Sequence, residues 1–121
     1  MKTAASLFAG EIKRLEELFV RIATFSWDER KRESNLLKHE IDFEDAIGIF
    51  DGPVLISRSD QHGEIRYKAL GVVEGREIAV VCTLRGRQKQ DCRIISARRA
   101  RREERRAYHS RVARSATEGQ D

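Results

Sequence analysis

One carboxylate and a scatter of cationic side chains are the groups in this chain with the means to do chemistry. They are Glu64 with Lys38, His39, Arg66, Arg85, Arg93 and Arg98, and each falls near the end of a predicted element. Element ends can converge at one rim of a domain. Cleaving RNA without a metal takes a base to remove the 2′-hydroxyl proton, cations to stabilise the charge growing on the phosphate, and an acid to protonate the leaving 5′-oxygen. These residue types meet that requirement. Arginine suits the second task, because its planar, permanently charged fork grips phosphate through two parallel hydrogen bonds.

Each of these residues also has a plainer role open to it. Glu64 and Arg66 stand two apart in a predicted strand, so they share a face and form a surface ion pair of small energetic weight. His39 ends a predicted helix, where the macrodipole favours a partial positive charge. His62, after Asp60 and Gln61 in a loop, is the weakest candidate and needs no role beyond solvation. Trp27 offers a stacking face for a base, although a tryptophan in a strand more often belongs to a core.

Other chemistries lack their residues. The acids form no repeated cluster, and no close His or Cys pair offers zinc-ligand spacing, so no metal or other cofactor is expected. Neither a phosphate-cradling glycine loop nor a nucleophile elbow is present, which sets aside nucleotide-dependent and serine-hydrolase activities. Cys82 and Cys92 fall in strand contexts and read as buried thiols of a reducing compartment. Charged residues at Glu11, Lys13, Arg14, Glu16 and Glu17 interrupt any signal-peptide core or membrane span, so a cytoplasmic protein without membrane association is expected.

The positive charge is concentrated at one end. The chain has 121 residues and a formal net charge of +4, yet Arg98 to Arg114 alone contains eight arginines against Glu103 and Glu104. A polyanion is therefore drawn mainly to the C-terminal face, with Arg101 and Arg102 as further RNA-binding candidates beside Arg85 and Arg93. A solvated helix face is the plainer account of the same run.

The elements that must position these groups can be traced along the chain. Phe8, Ile12, Leu15, Phe19 and Ile22 recur at spacings of four and three and mark a helical stripe that needs a partner surface, with Thr3 or Ser6 as cap. A short strand at Phe25–Trp27 leads to Asp28, an N-cap for a helix to about His39. Asp42 caps a second helix with the stripe Phe43, Ala46, Ile47 and Phe50, ended by Asp51-Gly52-Pro53. Strands are predicted at Val54–Ser57, Ile65–Val73, Glu77–Thr83 and Cys92–Ser96, with a tight hairpin at Glu74-Gly75 and a polar loop over residues 85–90. A basic helix follows. The expected fold class is α+β: an antiparallel sheet of about four strands, flanked by N-terminal helices and a C-terminal basic helix. Residues 1–24 form an amphipathic extension, 25–114 the domain proper, and 115–121 a frayed tail.

In order and spacing these segments resemble the BrnT toxins of bacterial type II toxin-antitoxin systems. The resemblance rests on Phe25-Ser26-Trp27-Asp28-Glu29, Lys31, Asn35, Lys38-His39, Phe43-Glu44-Asp45-Ala46 and Phe50-Asp51. It continues through Glu64-Ile65-Arg66, Gly71, Thr83-Leu84-Arg85-Gly86, the stretch from Arg93 to Arg98, and Glu104-Arg105 with Tyr108. It implies a fold similar to RelE-type toxins and a metal-independent RNA endonuclease that stops translation. Its implied partner is a BrnA-like antitoxin of ribbon-helix-helix type, with promoter DNA bound only through the toxin-antitoxin complex. On that basis Glu64 or His39 serves as base, Arg66 and Arg98 hold the phosphate, Lys38 assists proton transfer, and Arg85 and Arg93 orient the backbone. Three departures stand out: Glu40 replaces the family's usual glycine, the loop 87–91 is longer, and residues 1–24 precede the usual start. An acid at position 40 also leaves room for a non-catalytic toxin-like module that binds RNA or an acidic antitoxin.

Overall fold

A computed structural model describes the backbone of residues 14–118 and the side chains of residues 14–114. The candidate caps Thr3 and Ser6 and the stripe residues Phe8 and Ile12 lie outside this range. Residues 14–20 are helical (α1). There follow β1 (Thr24–Trp27), α2 (Glu29–His39), α3 (Phe43–Ala46) with a 3₁₀ turn at Ile47–Asp51, β2 (Leu55–Arg58), β3 (Tyr67–Val73), β4 (Arg76–Arg85), β5 (Asp91–Arg99) and α4 (Arg102–Glu118). α4 thus runs past the point at which the sequence suggests a tail begins.

Local signals explain most boundaries. The Asp28 carboxylate accepts from the amides of Arg30 and Lys31 and opens α2; the Asp42 carboxylate accepts from that of Glu44 and opens α3. The hairpin between β3 and β4 turns on Glu74 and Gly75, both at positive φ, as a two-residue primed turn requires. The second predicted helix is shorter than its stripe suggests: after Ala46 it tightens into the 3₁₀ turn that carries Ile49 and Phe50 inward.

The α+β class holds, and the sheet is antiparallel but for one edge, with one strand more than the expected four or so. It has five, in the order β1-β5-β4-β3-β2, and β1 lies parallel to β5. Asp91 fastens that edge, accepting from the hydroxyls of Thr24 (2.8 Å) and Ser26 (2.6 Å). The main core lies on one face of the sheet, where Ala69, Val80, Cys82, Cys92, Ile94 and Ala97 meet Leu15 and Phe19 of α1 and Phe43, Ala46 and Ile49. The described part of the N-terminal stripe therefore packs on its own domain. Trp27 belongs to this side as well, edge-on to Phe43, with its indole N–H donating to Glu29. A smaller cluster of Leu70, Ala79, Ala100 and Tyr108 joins α4 to the other face, and the Tyr108 hydroxyl donates to the Pro53 carbonyl. Both cysteines are buried and unoxidised, and the Cys82 thiol is pushed well above its ordinary value by its hydrogen bond to Cys92 and by burial.

One irregularity in β5 shapes the surface. Val81 pairs with Ser96 and Cys82 with Ile94, so Ile95 has no partner and forms a bulge. Such bulges re-aim side chains next to sites.

Candidate active site

Glu64 and Arg66 are brought to the sheet by a turn and a tether. Gln61 and Glu64 exchange backbone hydrogen bonds of 3.1 and 2.9 Å across His62 and Gly63, both at positive φ, and the chain then runs to β3. The buried Thr83 donates its hydroxyl to the Ile65 carbonyl at 2.9 Å, which holds this lead-in over β4 opposite Arg93. The pair thus precedes the strand. Arg66 Nε donates to Glu64 Oε1 at 2.9 Å, and a second guanidinium nitrogen reaches Gln61 Oε1 at 3.3 Å.

Around this pair opens a cleft of about 260 Å³ walled by Glu64, Arg66, Arg85, Arg93, Asp28 and Lys31. Four cations thus face two carboxylates. Asp28 is engaged in capping α2, with its Oδ1 at 2.8 Å from the Arg30 amide, and Glu64 in the bond it accepts from Arg66. Arg93 is fixed by its place in β5, while Arg85 projects from the exposed end of β4. Among the described residues no three His, Cys, Asp or Glu side chains are grouped as metal ligands.

Lys38 and His39, at the C-terminal end of α2, line an adjoining cleft of about 490 Å³ rather than the one that holds Glu64. The two clefts share Asp28, Lys31 and Ile95. Arg98 lines neither. Its guanidinium is bound fork to fork by Glu104, with contacts of 2.7 and 3.0 Å, in the seam between β5 and α4. Arg101 and Arg102 are exposed at the start of α4, outside both clefts, and His62 sits at the tip of its turn. Arg105 donates to the Ala100 carbonyl and Arg111 to Glu16, so part of the arginine run serves the fold.

Sequence reasoning passed over Lys31 and Asp28 as site residues. Their signal was present in the helix start itself: a cap followed three positions later by a lysine places both at the helix end facing the β5 bulge.

A cationic cleft that holds a carboxylate–guanidinium pair, set at the end of a mixed sheet in a small α+β domain, defines a protein with a surface suited to anions. Comparison narrows the class. The family model described as "Ribonuclease toxin, BrnT, of type II toxin-antitoxin system" matches residues 27–104, and the chain belongs to this family. Among solved structures it is similar to the Brucella abortus ribonuclease toxin BrnT, determined at 1.1 Å. Identity is 30%, covering 65% of this chain and 97% of that one, with a TM-score of 0.51. No curated protein matches. Among the described residues no helix is long and apolar enough to cross a membrane.

Proposed function

We propose that this toxin is a metal-independent RNA endonuclease of the cytoplasm that inhibits translation and is neutralised by a BrnA-like, ribbon-helix-helix antitoxin. The observation that carries this proposal is the meeting of Glu64 and Arg66 with Arg85 and Arg93 in a single cleft. Glu64 takes the proton of the 2′-hydroxyl, whose oxygen then attacks the adjacent phosphorus. Arg66 and Arg93 hold the phosphate and the charge that grows on its equatorial oxygens, and Arg85 orients the backbone. The P–O5′ bond breaks, the 5′-oxygen takes a proton from solvent, and a 2′,3′-cyclic phosphate remains. Fixed guanidinium charges supply the stabilisation for which other nucleases use a cation. Arg98 contributes through the fold, as the partner of Glu104. An exposed cationic cleft also suits neutralisation by an acidic antitoxin segment laid across it, and promoter DNA is then reached through the antitoxin.

The test is purified protein with RNA in EDTA. The enzyme shortens RNA there, and Glu64→Gln slows the shortening by about two to three decades. A second proposal has a specific observation in its favour: the Glu64 carboxylate is already engaged by the Arg66 guanidinium at 2.9 Å. On that account the module binds RNA or its antitoxin and breaks no bond. Intact RNA, retarded in a salt-dependent manner by the wild-type protein, is the result that would favour it.

A further inference from the structure

The two clefts along α2 share a wall, and that wall has a defined construction. Ile95, the unpaired residue of the β5 bulge, forms the floor common to both, and Lys31 stands beside it at the rim of both. Asn35, one helical turn further along α2, is buried. Its side-chain amide donates to the carbonyls of Ile41 (2.9 Å) and Ala97 (2.8 Å) and accepts from the Ala97 amide at 3.1 Å, pinning this face of α2 against β5. Lys31 and Lys38 flank that anchor on the same helix face, seven residues and so about 10 Å apart along the axis. Among the described residues neither lysine is in an ion pair, whereas Arg66, Arg98, Lys68 and Arg32 all are. Two unpaired cations spaced along one rigid rim can follow a phosphate backbone.

We propose that the two clefts are one track for a single RNA strand, with Lys31 holding the phosphate next to the Glu64 cleft and Lys38 the phosphate beyond it. The position of the scissile bond in this track rests on the ribonuclease proposal; the track itself does not. No Phe, Tyr or Trp lines either cleft, Trp27 packs edge-on to Phe43, and His39 is the one ring along the track, so the strand is held mainly through its backbone. Ser34 and Ser96 add small polar surfaces to the second cleft. Binding along α2 is accordingly strong in its salt dependence and weak in its sequence preference.

The experiment uses fully 2′-O-methylated RNA, which cannot be cleaved by 2′-oxygen attack, as a dinucleotide and as a mixed-sequence hexanucleotide. Their affinities for wild type, Lys31→Ala, Lys38→Ala and the double variant are measured by fluorescence anisotropy over a range of salt. Both lysines are exposed, so the variants keep the fold. The wild type is expected to bind the hexanucleotide at least tenfold more tightly than the dinucleotide. Each lysine removed lowers the salt slope for the hexanucleotide by about 0.7, and the double variant brings the length advantage below threefold. An unchanged slope and length advantage in the double variant overturns the track. Unmodified RNA in EDTA is run alongside: if wild type fails to cleave it while the slopes fall as expected, the enzymatic proposal fails and the track stands; cleavage with unchanged slopes is the reverse.

Discussion

Arg98 and Glu104 grip each other through two parallel hydrogen bonds, Nη1 to Oε1 at 2.7 Å and Nη2 to Oε2 at 3.0 Å, across the seam between β5 and α4. The same carboxylate accepts from Lys68 Nζ at 2.8 Å and from the Arg101 amide at 2.7 Å. The last of these is one half of a capping box, reaching back from the first turn of α4 to the residue before it. A side chain only 10% exposed thus balances two cations, starts a helix and binds it to β3 and β5. Removing Glu104 leaves Arg98 and Lys68 without their shared carboxylate, and removing Arg98 takes away one of the two cations that Glu104 balances, each at a cost of about 3 kcal/mol. Glu104→Gln and Arg98→Ala are each expected to lower the melting temperature by roughly 10 °C in calorimetry. Loss of toxicity in Arg98→Ala without that fall would instead assign the arginine to the chemistry.

The same pair fixes a pH dependence. The Arg98 guanidinium, followed by the Arg101 amide and Lys68, holds the Glu104 carboxyl well below the usual carboxylate range. Because the folded value is the lower one, its stabilisation is fully present above the unfolded value of about 4.5 and declines as pH falls below it. The stability gap between wild type and Glu104→Gln should therefore be constant from pH 7 to about 5 and shrink by pH 3. A gap unchanged at pH 3 contradicts the assignment.

Among the described residues the side chains of Glu64 and Arg93 make no hydrogen bond to the backbone, so their substitution should spare the fold. Glu64→Gln and Arg93→Ala are expected to reduce RNA cleavage by about two to three decades, the scale of losing one preorganised transition-state contact. Their melting temperatures should stay close to wild type. Both are read from single-turnover cleavage and a thermal melt of the same preparations.

Glu40 closes α2 in the left-handed region, φ 58° and ψ 29°, with its amide bonded to the Leu36 carbonyl. That conformation favours glycine, since a side chain there is strained by about 1–2 kcal/mol. Glu40→Gly relieves the strain but frees the unfolded chain, for an expected net gain of roughly 0.5–1 kcal/mol. Denaturant melts measure it. A simultaneous rise in toxicity would show that the acid beside Lys38 and His39 also weakens RNA binding.

Gly71 is present for want of space. A Cβ there would lie 2.6 Å from the Cβ of Ile49, a fully buried side chain of the 3₁₀ turn, so β3 and that turn would have to part. Gly71→Ala is expected to cost about 1–3 kcal/mol, the range for overpacking a filled core. A midpoint in urea within error of wild type would contradict this.

What the sequence determined alone was local. Asp28 and Asp42 announce their helices because a cap is a contact between near neighbours, and Glu74-Gly75 announces its turn because φ is a property of single residues. The order of elements and the α+β class follow from periodicities of the same short range, and the motif spacing carried the family. Tertiary structure decided everything that depends on distant partners. The parallel seat of β1 against β5, the Ile95 bulge and the junction role of Lys31 arise from strand pairings and helix packing that no window of sequence contains. The division of the arginines is the sharpest case: Arg93 and Arg98 share one strand and one charge. Arg98 is turned to structure because Glu104 sits across the seam, while Arg93 opens onto the cleft with Arg66 and Arg85. A cation's role is set by which counter-charge it meets, and that is decided in three dimensions.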